Sequence, residues 1–356
     1  MNSATSTAEI LTDAAWHLYA LEPDSQSRFL ASQWLYLSEA HFRAASFLDQ
    51  RLLAPAAQQT AAQICTLPLS ELQGLIDHQP HSLQPPQAHF IFHIGHCGST
   101  LISRALAASP AVLPLREPLS LRQLAAGLAH QHDQSWWSQS LQLALAAHSR
   151  VFHPGQVSMI KATSTCNALI KPLMELAPQS KSLLLYLPLE SYLAGMLGKQ
   201  APALDLQGHA AARLDEWRSL TGNPLNPAEG EEFTEAQLAI LAWLTSMTRL
   251  LQARDQHPDR CLLLDFENFL ADPATSLEHL IEFFSLAESS AEILEAWPNI
   301  SVGYSKQPDQ PYSAFNRSKT LMRGRMQRAA DIRAGLDWSK DLIRQYPAFQ
   351  ACEGFL

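Results

Sequence analysis

The chain has 356 residues, of which 47% are hydrophobic, which is enough for one large domain with an appended segment or for two domains. Its formal net charge of −9 and isoelectric point of about 5.8 argue against a general nucleic-acid binder and against binding to anionic membranes. The first residues lack the pattern of a signal peptide, and no apolar run is long enough to span a bilayer. The five cysteines lack metal-ligand spacing, so we expect free thiols in a reducing cytoplasm.

The predicted elements fall into three parts along the chain. Residues 1–80 are predicted to form a helical segment, because apolar positions such as Ile10, Ala14 and Leu18 recur at helix-like intervals. The proline-containing stretch 79–87 is predicted to be a linker into the first core strand. Residues 88–300 alternate apolar strands with helices and include a helical insert at 201–256. Residues 301–356 form a basic tail that is expected to pack on this domain.

Five apolar stretches are predicted to be the strands of the main domain. They lie around Phe90–Ile94, in AVLPLREP before Pro118, in QVSMIK before Ala162, in KSLLLYLP at 181–188, and in CLLLD at 261–265. Because these stretches are apolar throughout and alternate with helices, they predict a mostly parallel sheet covered on both faces, a three-layer α/β/α fold. Ligands of such sheets bind at the carboxyl ends of the strands, near the switch in strand order.

The run FHIGHCGSTLISRAL, residues 92–106, is the most informative segment. Its pattern is strand, tight loop and helix, a layout in which free backbone N–H groups and a helix N-terminus face an anion. It predicts a phosphate-binding loop formed by Gly95, His96, Cys97, Gly98, Ser99 and Thr100, to which the last two residues add hydroxyl donors. The alternative is a strand-to-helix turn whose small residues serve close packing.

This loop differs from a Walker A loop, which needs a Lys between its last Gly and the Ser or Thr. Here Ser99 follows Gly98 directly, which disfavours ATP or GTP hydrolysis. The loop instead resembles the 5′-phosphosulfate loop of the sulfotransferase family, where a strand runs into Arg/Lys-Ser-Gly-Thr-Thr and then a helix. In this resemblance His96 takes the basic position, Cys97 that of the Ser, and Thr100 that of the second Thr.

Two downstream segments also resemble the sulfotransferase family. SMIKATSTCNALIKPLMELAPQSKSLLLYLP is similar to its central strand-helix-strand unit, and LLLDFENFLADPATSLEHLIEFFSL to its late strand-helix unit. The similarity covers roughly residues 88–290, apart from the helical insert at 201–256, and it leaves out the first 80 residues. It implies a P-loop NTPase-like α/β/α fold. It further implies transfer of a sulfuryl group from 3′-phosphoadenosine 5′-phosphosulfate to a hydroxyl or amine of a small-molecule or peptide acceptor. No metal, nucleic acid or membrane is required, and the oligomeric state is left open.

Three residues are candidates for the chemistry of this transfer. Glu117 follows the second core strand and faces the active-site edge, so it is a candidate general base; a structural salt bridge with Arg116 is the alternative. Lys161 ends the third strand, where the resemblance implies a contact with the phosphosulfate, and a solvated lysine is the alternative. His96 is a candidate charged donor, since an adjacent anion favours its protonated form.

The sequence departs from the family where the 3′-phosphate is bound. The family usually has Arg-Asp-Pro after the fourth strand and a Ser eight residues after the Arg, whereas this chain has Tyr186 in place of that Arg and Ala194 in place of that Ser. The tail offers a substitute, because Arg323, Gly324 and Arg325 resemble a late Arg-Lys-Gly loop of the family. A solvated basic helix is the alternative for these three residues.

Two other functions remain open from the sequence. The missing Arg and Ser favour a degenerate member that binds a nucleotide or peptide without catalysis and acts as a regulator or partner. A P-loop kinase is disfavoured by the missing loop lysine. The fourteen histidines follow no ligand pattern, although His89 and His93 are spaced to share one face of a strand.

Overall fold

The computed structural model describes residues 6–24, 29–51, 64–72, 88–128, 134–199, 206–227, 231–304, 307–311 and 314–356. The first elements are α1 (Thr7–Thr12), β1 (Trp16–Pro23), β2 (Phe29–Tyr36), α2 (Glu39–Ala44) and β3 (Ile64–Pro68). The main sheet and its first helices follow as β4 (Ala88–His93), α3 (Ser99–Leu106), β5 (Val112–Arg116), α4 (Leu119–Leu128), α5 (Gln134–His148), β6 (Val157–Lys161), α6 (Ile170–Leu176), β7 (Ser182–Tyr186) and α7 (Leu189–Leu197). A 3₁₀ helix, Ser164–Leu169, precedes α6.

The second half of the chain is mostly helical. Its elements are α8 (Ala210–Thr221), α9 (Glu235–Gln256), β8 (Cys261–Asp265), α10 (Phe266–Ala271), α11 (Pro273–Phe283), α12 (Ser290–Ser301), β9 (Gly303–Tyr304), β10 (Gln307–Pro311), α13 (Ala314–Gln327) and α14 (Ala329–Gln345). A short 3₁₀ helix, Ala287–Ser289, precedes α12, and another, Pro347–Phe355, follows α14.

The main sheet has five strands in the order β5-β6-β4-β7-β8, and all neighbouring pairs are parallel. Every residue of β5 is buried, and β4, β6 and β7 are buried at all but one position each. Helix α3 contacts β4, β5 and β6, while α9 contacts β4, β7 and β8. The structure therefore confirms the predicted α/β fold with a parallel sheet covered by helices, and all five predicted strands are present.

The strand order places the loop after β4 at the switch point of the sheet. From the central β4 the chain runs through α3 to β5 at one edge, returns through β6, and then crosses β4 to β7 and β8. Connections therefore leave β4 and β6 toward opposite edges, and the carboxyl end of β4 is where ligands of such sheets bind.

The helical prediction for the first 80 residues is wrong over most of the described part of that segment. Strands β1, β2 and β3 form an antiparallel sheet, with Trp16 paired to Tyr36 and Trp34 to Cys65. The first six residues of β1 are all buried, so this apolar run satisfies helical spacing as well as strand spacing, and its aromatic residues favour the strand. The predicted linker at 79–87 lies outside the described residues.

Helix α13, in the C-terminal tail, crosses the end of α7 at two glycines. A Cβ atom on Gly324 would lie 2.1 Å from the Ala194 carbonyl oxygen, and one on Gly198 would lie 2.2 Å from that of Thr320. Any larger residue would push the two helices apart. The tail is thus held on the main domain by a backbone-to-backbone contact that requires glycine on both helices.

Two buried histidines lie where β1 meets α4 and α5. The rings of His17 and His148 are 5.2 Å apart, and His17 also packs edge-on against Phe42. Ser120 Oγ is 2.8 Å from His148 Nε2, whereas His17 Nε2 and His148 Nδ1 have no hydrogen-bond partner among the described residues. Burial lowers the pKa of His17 from 6.5 to about 3 and holds the pKa of His148 well below its ordinary value.

This pair predicts a loss of stability in mild acid. Because the folded-state pKa lies below the unfolded value, the unfolded chain takes up protons first, so the stability present above about pH 6.5 is lost as the pH falls toward 3. Between pH 6.5 and 5.0, His17 alone should lower the free energy of unfolding by about 2 kcal/mol. Urea unfolding at several pH values should show this loss, and His17→Leu should reduce it by about that amount. The exposed His279→Gln is the matched control; identical pH dependence of wild type and His17→Leu would contradict the account.

Candidate functional site

The loop after β4 makes a left-handed turn into α3. Gly95, His96 and Gly98 have φ of 90°, 51° and 78°, and Gly98 is the N-cap of the helix. The ring of Phe266, the first residue of α10, packs directly on Gly98, because a Cβ atom there would lie 2.0 Å from it. Glycine at position 98 is thus required both by the backbone conformation and by the space available.

The turn leaves a group of hydrogen-bond donors unengaged. Within the described ranges, no hydrogen bond is made by the backbone N–H groups of Cys97, Gly98, Ser99 and Thr100 or by the hydroxyls of Ser99 and Thr100. The N-terminus of α3 adds its positive dipole end at the same place. Anion binding by the predicted loop, Gly95 to Thr100, stays a prediction, and the unengaged donors lie in its second part, from Cys97 to Thr100.

Gly95 differs from the other predicted loop residues. Its N–H donates to His93 Nδ1 over 2.9 Å, so it is not available to a ligand in this arrangement. The other ring nitrogen, Nε2, lies 2.9 Å from the Ala162 carbonyl, to which it donates. His93 therefore links the carboxyl ends of β4 and β6 and fixes the start of the loop at Gly95.

Cys97 contributes its backbone rather than its thiol. The side chain is fully buried, and Sγ donates to the Leu185 carbonyl of β7 at 3.4 Å. Burial raises the thiol pKa to about 12, which keeps it protonated and unreactive. A small side chain at this position lets the loop lie close to the sheet.

His96 is exposed and pairs with a lysine from the end of α7. Lys199 Nζ lies 2.9 Å from His96 Nδ1. Since an ammonium group can only donate, His96 accepts through a neutral nitrogen, and Lys199 is the cation at this side of the loop. On another side, Arg317 of α13 pairs with Glu267 at 3.3 Å and lies over the Phe266 ring that covers Gly98.

Glu117 and Lys161 form a buried ion pair at the carboxyl edge of the sheet. Glu117 directly follows β5 with a φ of 55°, and its N–H donates to the Lys161 carbonyl. Its Oε1 accepts from Lys161 Nζ, whose side chain is 1% exposed. The alternative of a salt bridge between Glu117 and Arg116 is not formed, because Arg116 donates to Ser103 Oγ and to the Ala45 carbonyl.

Residues 48–51, which the sequence pattern does not mark as part of the site, also lie beside Glu117. Arg51 Nη2 lies 3.4 Å from Glu117 Oε2, and its Nε donates to the buried Asp49 at 2.8 Å. Arg122 donates to the same Asp49 carboxylate at 3.0 Å. Leu48 joins this segment to the end of β5 by backbone hydrogen bonds to Arg116 and Leu119, which the sequence pattern alone does not reveal.

The predicted Arg323-Gly324-Arg325 loop lies within helix α13. Gly324 is buried against α7, Arg323 Nε donates to the Gly198 carbonyl at 2.8 Å, and Arg325 pairs with Glu190 at 3.4 Å. The prediction of a late phosphate-binding loop is therefore wrong in its local structure, because the glycine serves helix crossing. Arg323 thus caps the C-terminal end of α7 at Gly198, the residue that precedes Lys199.

Tyr186 and Ala194, the two positions that differ from the sulfotransferase pattern, are both held in packing contacts. Tyr186 lies edge-on against Phe355 with ring centroids 5.3 Å apart, and Ala194 is fully buried under α13. Among the described residues, no cluster of three His, Cys, Asp or Glu is placed to hold a metal ion. No helix in those ranges is long and apolar enough to cross a membrane.

Comparison with known proteins gives a distant likeness of fold. No family model and no curated protein matches the chain. Solved structures that are similar include a sulfotransferase from Mycobacterium tuberculosis (13% identity, 72% of this chain and 80% of that one, TM-score 0.40). A sulfotransferase from Mycobacterium avium is also similar, at 13% identity over 91% of this chain and 97% of that one, with a TM-score of 0.39. The sulfotransferase domain of the curacin biosynthetic pathway matches at 15% identity over 56% of this chain and 74% of that one, with a TM-score of 0.35.

The contact between Gly98 and Phe266 predicts a substitution effect larger than backbone strain alone. Gly155 has a φ of 81°, and a Cβ atom added there would have open space within 4 Å, so Gly155→Ala should cost only about 1 kcal/mol of strain. Gly98→Ala should cost a further 1–3 kcal/mol, on the order of an overpacked core, in urea unfolding. Adding Phe266→Leu to the Gly98→Ala variant should recover part of the lost stability, because the smaller side chain relieves the clash. Equal costs for the two glycine variants would contradict this packing.

Proposed function

We propose that this protein is a sulfotransferase-like enzyme that moves a sulfuryl group from 3′-phosphoadenosine 5′-phosphosulfate to a hydroxyl or amine acceptor. The observation that carries the proposal is the set of unengaged N–H and hydroxyl donors from Cys97 to Thr100, at the start of α3 and at the switch point of the sheet. Donors preorganised in this way stabilise an oxyanion without reorganisation cost.

The charges around the loop suit a phosphosulfate better than a magnesium nucleotide. Lys199 lies beside His96, and Arg317 lies over the Phe266 ring that covers Gly98. The loop has no lysine between Gly98 and Ser99, the residue that reaches the terminal phosphates in Walker A proteins. Sulfuryl transfer needs no metal, because the charge that develops on the bridging oxygen can be met by fixed cations and N–H groups.

In this proposal Glu117 is the general base and Lys161 stabilises the leaving group. Their ion pair must open for either to act, since Lys161 occupies Oε1 of Glu117. The bound phosphosulfate competes for the ammonium group of Lys161 and so frees the carboxylate. Glu117 then takes the acceptor proton, the acceptor atom forms a bond to sulfur, and the electron pair of the breaking sulfur–oxygen bond passes to the 5′-phosphate.

His96 and Lys199 act together on the donor in this scheme. His96 accepts from Lys199 in the structure, and a bound anion favours a proton on the imidazole, so that both groups donate to it. The 3′-phosphate of the donor lies near the carboxyl end of α7 in this proposal, where Arg323 and Lys199 supply charge in place of the residues missing at Tyr186 and Ala194. The acceptor is a small molecule or a peptide.

A second candidate function is donor or nucleotide binding without catalysis, as a regulator or partner. The observation that favours it is that both carboxylate oxygens of Glu117 are engaged. Lys161 pairs with one oxygen and Arg51 with the other. A carboxylate between two cations is a weak proton acceptor until one of them is withdrawn. The two candidates share the loop and differ in whether acceptor addition yields product.

Calorimetry with the sulfated donor and with 3′-phosphoadenosine 5′-phosphate tests the shared part of the proposal. We expect both to bind, and Ser99→Ala/Thr100→Val and Lys199→Met each to weaken binding about tenfold through lost donors. Lys171→Met, at an exposed ion pair with Glu175, is the matched control and should bind as the wild type does. Absence of binding at millimolar concentration would refute the proposal, and magnesium-dependent ATP binding would favour a kinase.

Turnover separates the two candidates. Formation of 3′-phosphoadenosine 5′-phosphate from the sulfated donor, measured with a panel of phenols, alcohols and amines, should be lost in Glu117→Gln while donor binding is kept. Glu175→Gln, an exposed carboxylate on α6, is the control. Donor binding with no acceptor-dependent turnover across the panel would favour the non-catalytic candidate.

A further inference from the structure

Arg213 is a buried guanidinium that reaches the main site from outside the region of family resemblance. It lies on α8, within the helical insert, and is 6% exposed. Its Nη2 donates to Ser164 Oγ at 2.8 Å, and its Nη1 donates to Ser246 Oγ at 3.0 Å and to the Ser164 carbonyl at 3.2 Å. Its Nε has no partner among the described residues.

No carboxylate among the described residues contacts the Arg213 guanidinium. All three of its hydrogen bonds go to neutral oxygens, and in the described ranges it forms no ion pair. The acidic residue one turn along the same helix, Glu216, pairs with Arg249 and acts on Arg213 only through its charge. Because a buried guanidinium without a carboxylate in contact is costly, a nearby anion would be stabilised by Arg213.

Ser164 connects this charge to the loop. It follows β6 at the start of the 3₁₀ helix, is partly exposed, and its Oγ lies 3.3 Å from where a Cβ on Gly95 would be. Its hydroxyl oxygen already accepts from Arg213, which leaves its single hydrogen to donate. A hydroxyl that accepts from a cation is polarised and is the stronger donor for it.

We propose that Ser164 and Arg213 form a second anion-binding element of the loop. The Ser164 hydroxyl donates to a sulfate- or phosphate-type oxyanion held by Gly98–Thr100, and Arg213 is a positioning residue that fixes and polarises that hydroxyl. Helix α8 of the insert thus supplies a fixed positive charge, which reaches the loop at Gly95 through Ser164. The inference rests on the proposed function, because it needs an oxyanion in the loop.

The test is calorimetric titration of the full chain with 3′-phosphoadenosine 5′-phosphate. Ser164→Ala should weaken binding about tenfold, which corresponds to one charge-assisted hydrogen bond. It should also lower the urea midpoint of the free protein, because a buried N–H group of Arg213 loses its acceptor. Ser246→Ala removes another partner of Arg213 without touching the loop and is the matched control. It should change binding by less than about threefold.

A double-mutant cycle shows whether Arg213 acts through Ser164. Arg213→Met should weaken binding about as much as Ser164→Ala, and the double variant should be no weaker than either single one. If Arg213→Met does not fold, Arg213→Lys takes its place in the cycle. The inference would be overturned if Ser164→Ala bound the ligand as tightly as the wild type, or if the losses of binding free energy in the two single variants added up in the double variant. Either result would leave the proposed function standing. Failure of the wild type to bind would remove both.

Discussion

The left-handed turn from Gly95 to Gly98 is the constraint on which the site depends. It changes the chain from a buried strand to a helix within a few residues, and it leaves four N–H groups and two hydroxyls without a hydrogen bond among the described residues. The turn is held from several sides: the His93 imidazole takes the Gly95 N–H, the Cys97 thiol reaches β7, and the Phe266 ring packs on Gly98. Its rigidity is what makes it suited to an oxyanion, because the donors are placed before the ligand arrives.

Charge is distributed unevenly around this turn. The chain carries a net charge of −9, yet Lys161, Lys199 and Arg213 approach the loop or the neighbouring strand ends. A local positive field in an acidic protein attracts small anionic ligands. Glu117 lies within this field between two cations, so its availability as a base depends on what the ligand does to Lys161.

The main sheet and its loop could be predicted from the sequence because their signals are local. Continuous apolar runs such as KSLLLYLP, each followed by a turn and a helix, have few other structural solutions, and the glycines at 95 and 98 mark a positive-φ turn. The N-terminal sheet was missed because the run from Trp16 to Leu21 is buried throughout and fits more than one periodicity.

Residues that act through tertiary contacts could not be found in this way. Asp49 and Arg51 reach Glu117 only because Leu48 pairs with the backbone after β5, and Arg213 reaches Ser164 only because α8 packs beside the 3₁₀ helix. The Arg323-Gly324-Arg325 prediction failed for a related reason: a glycine between two arginines fits a phosphate loop and a helix crossing equally well. Only the fold shows that Gly324 contacts Ala194 of α7.

A crystal structure of the complex with 3′-phosphoadenosine 5′-phosphate tests the central claim most directly. The account predicts the 5′-phosphate within about 3 Å of the N–H groups of Gly98, Ser99 and Thr100. Lys161 should then have turned from Glu117 toward the ligand. A ligand bound elsewhere, or a loop without ligand in crystals grown at saturating concentration, would contradict the account.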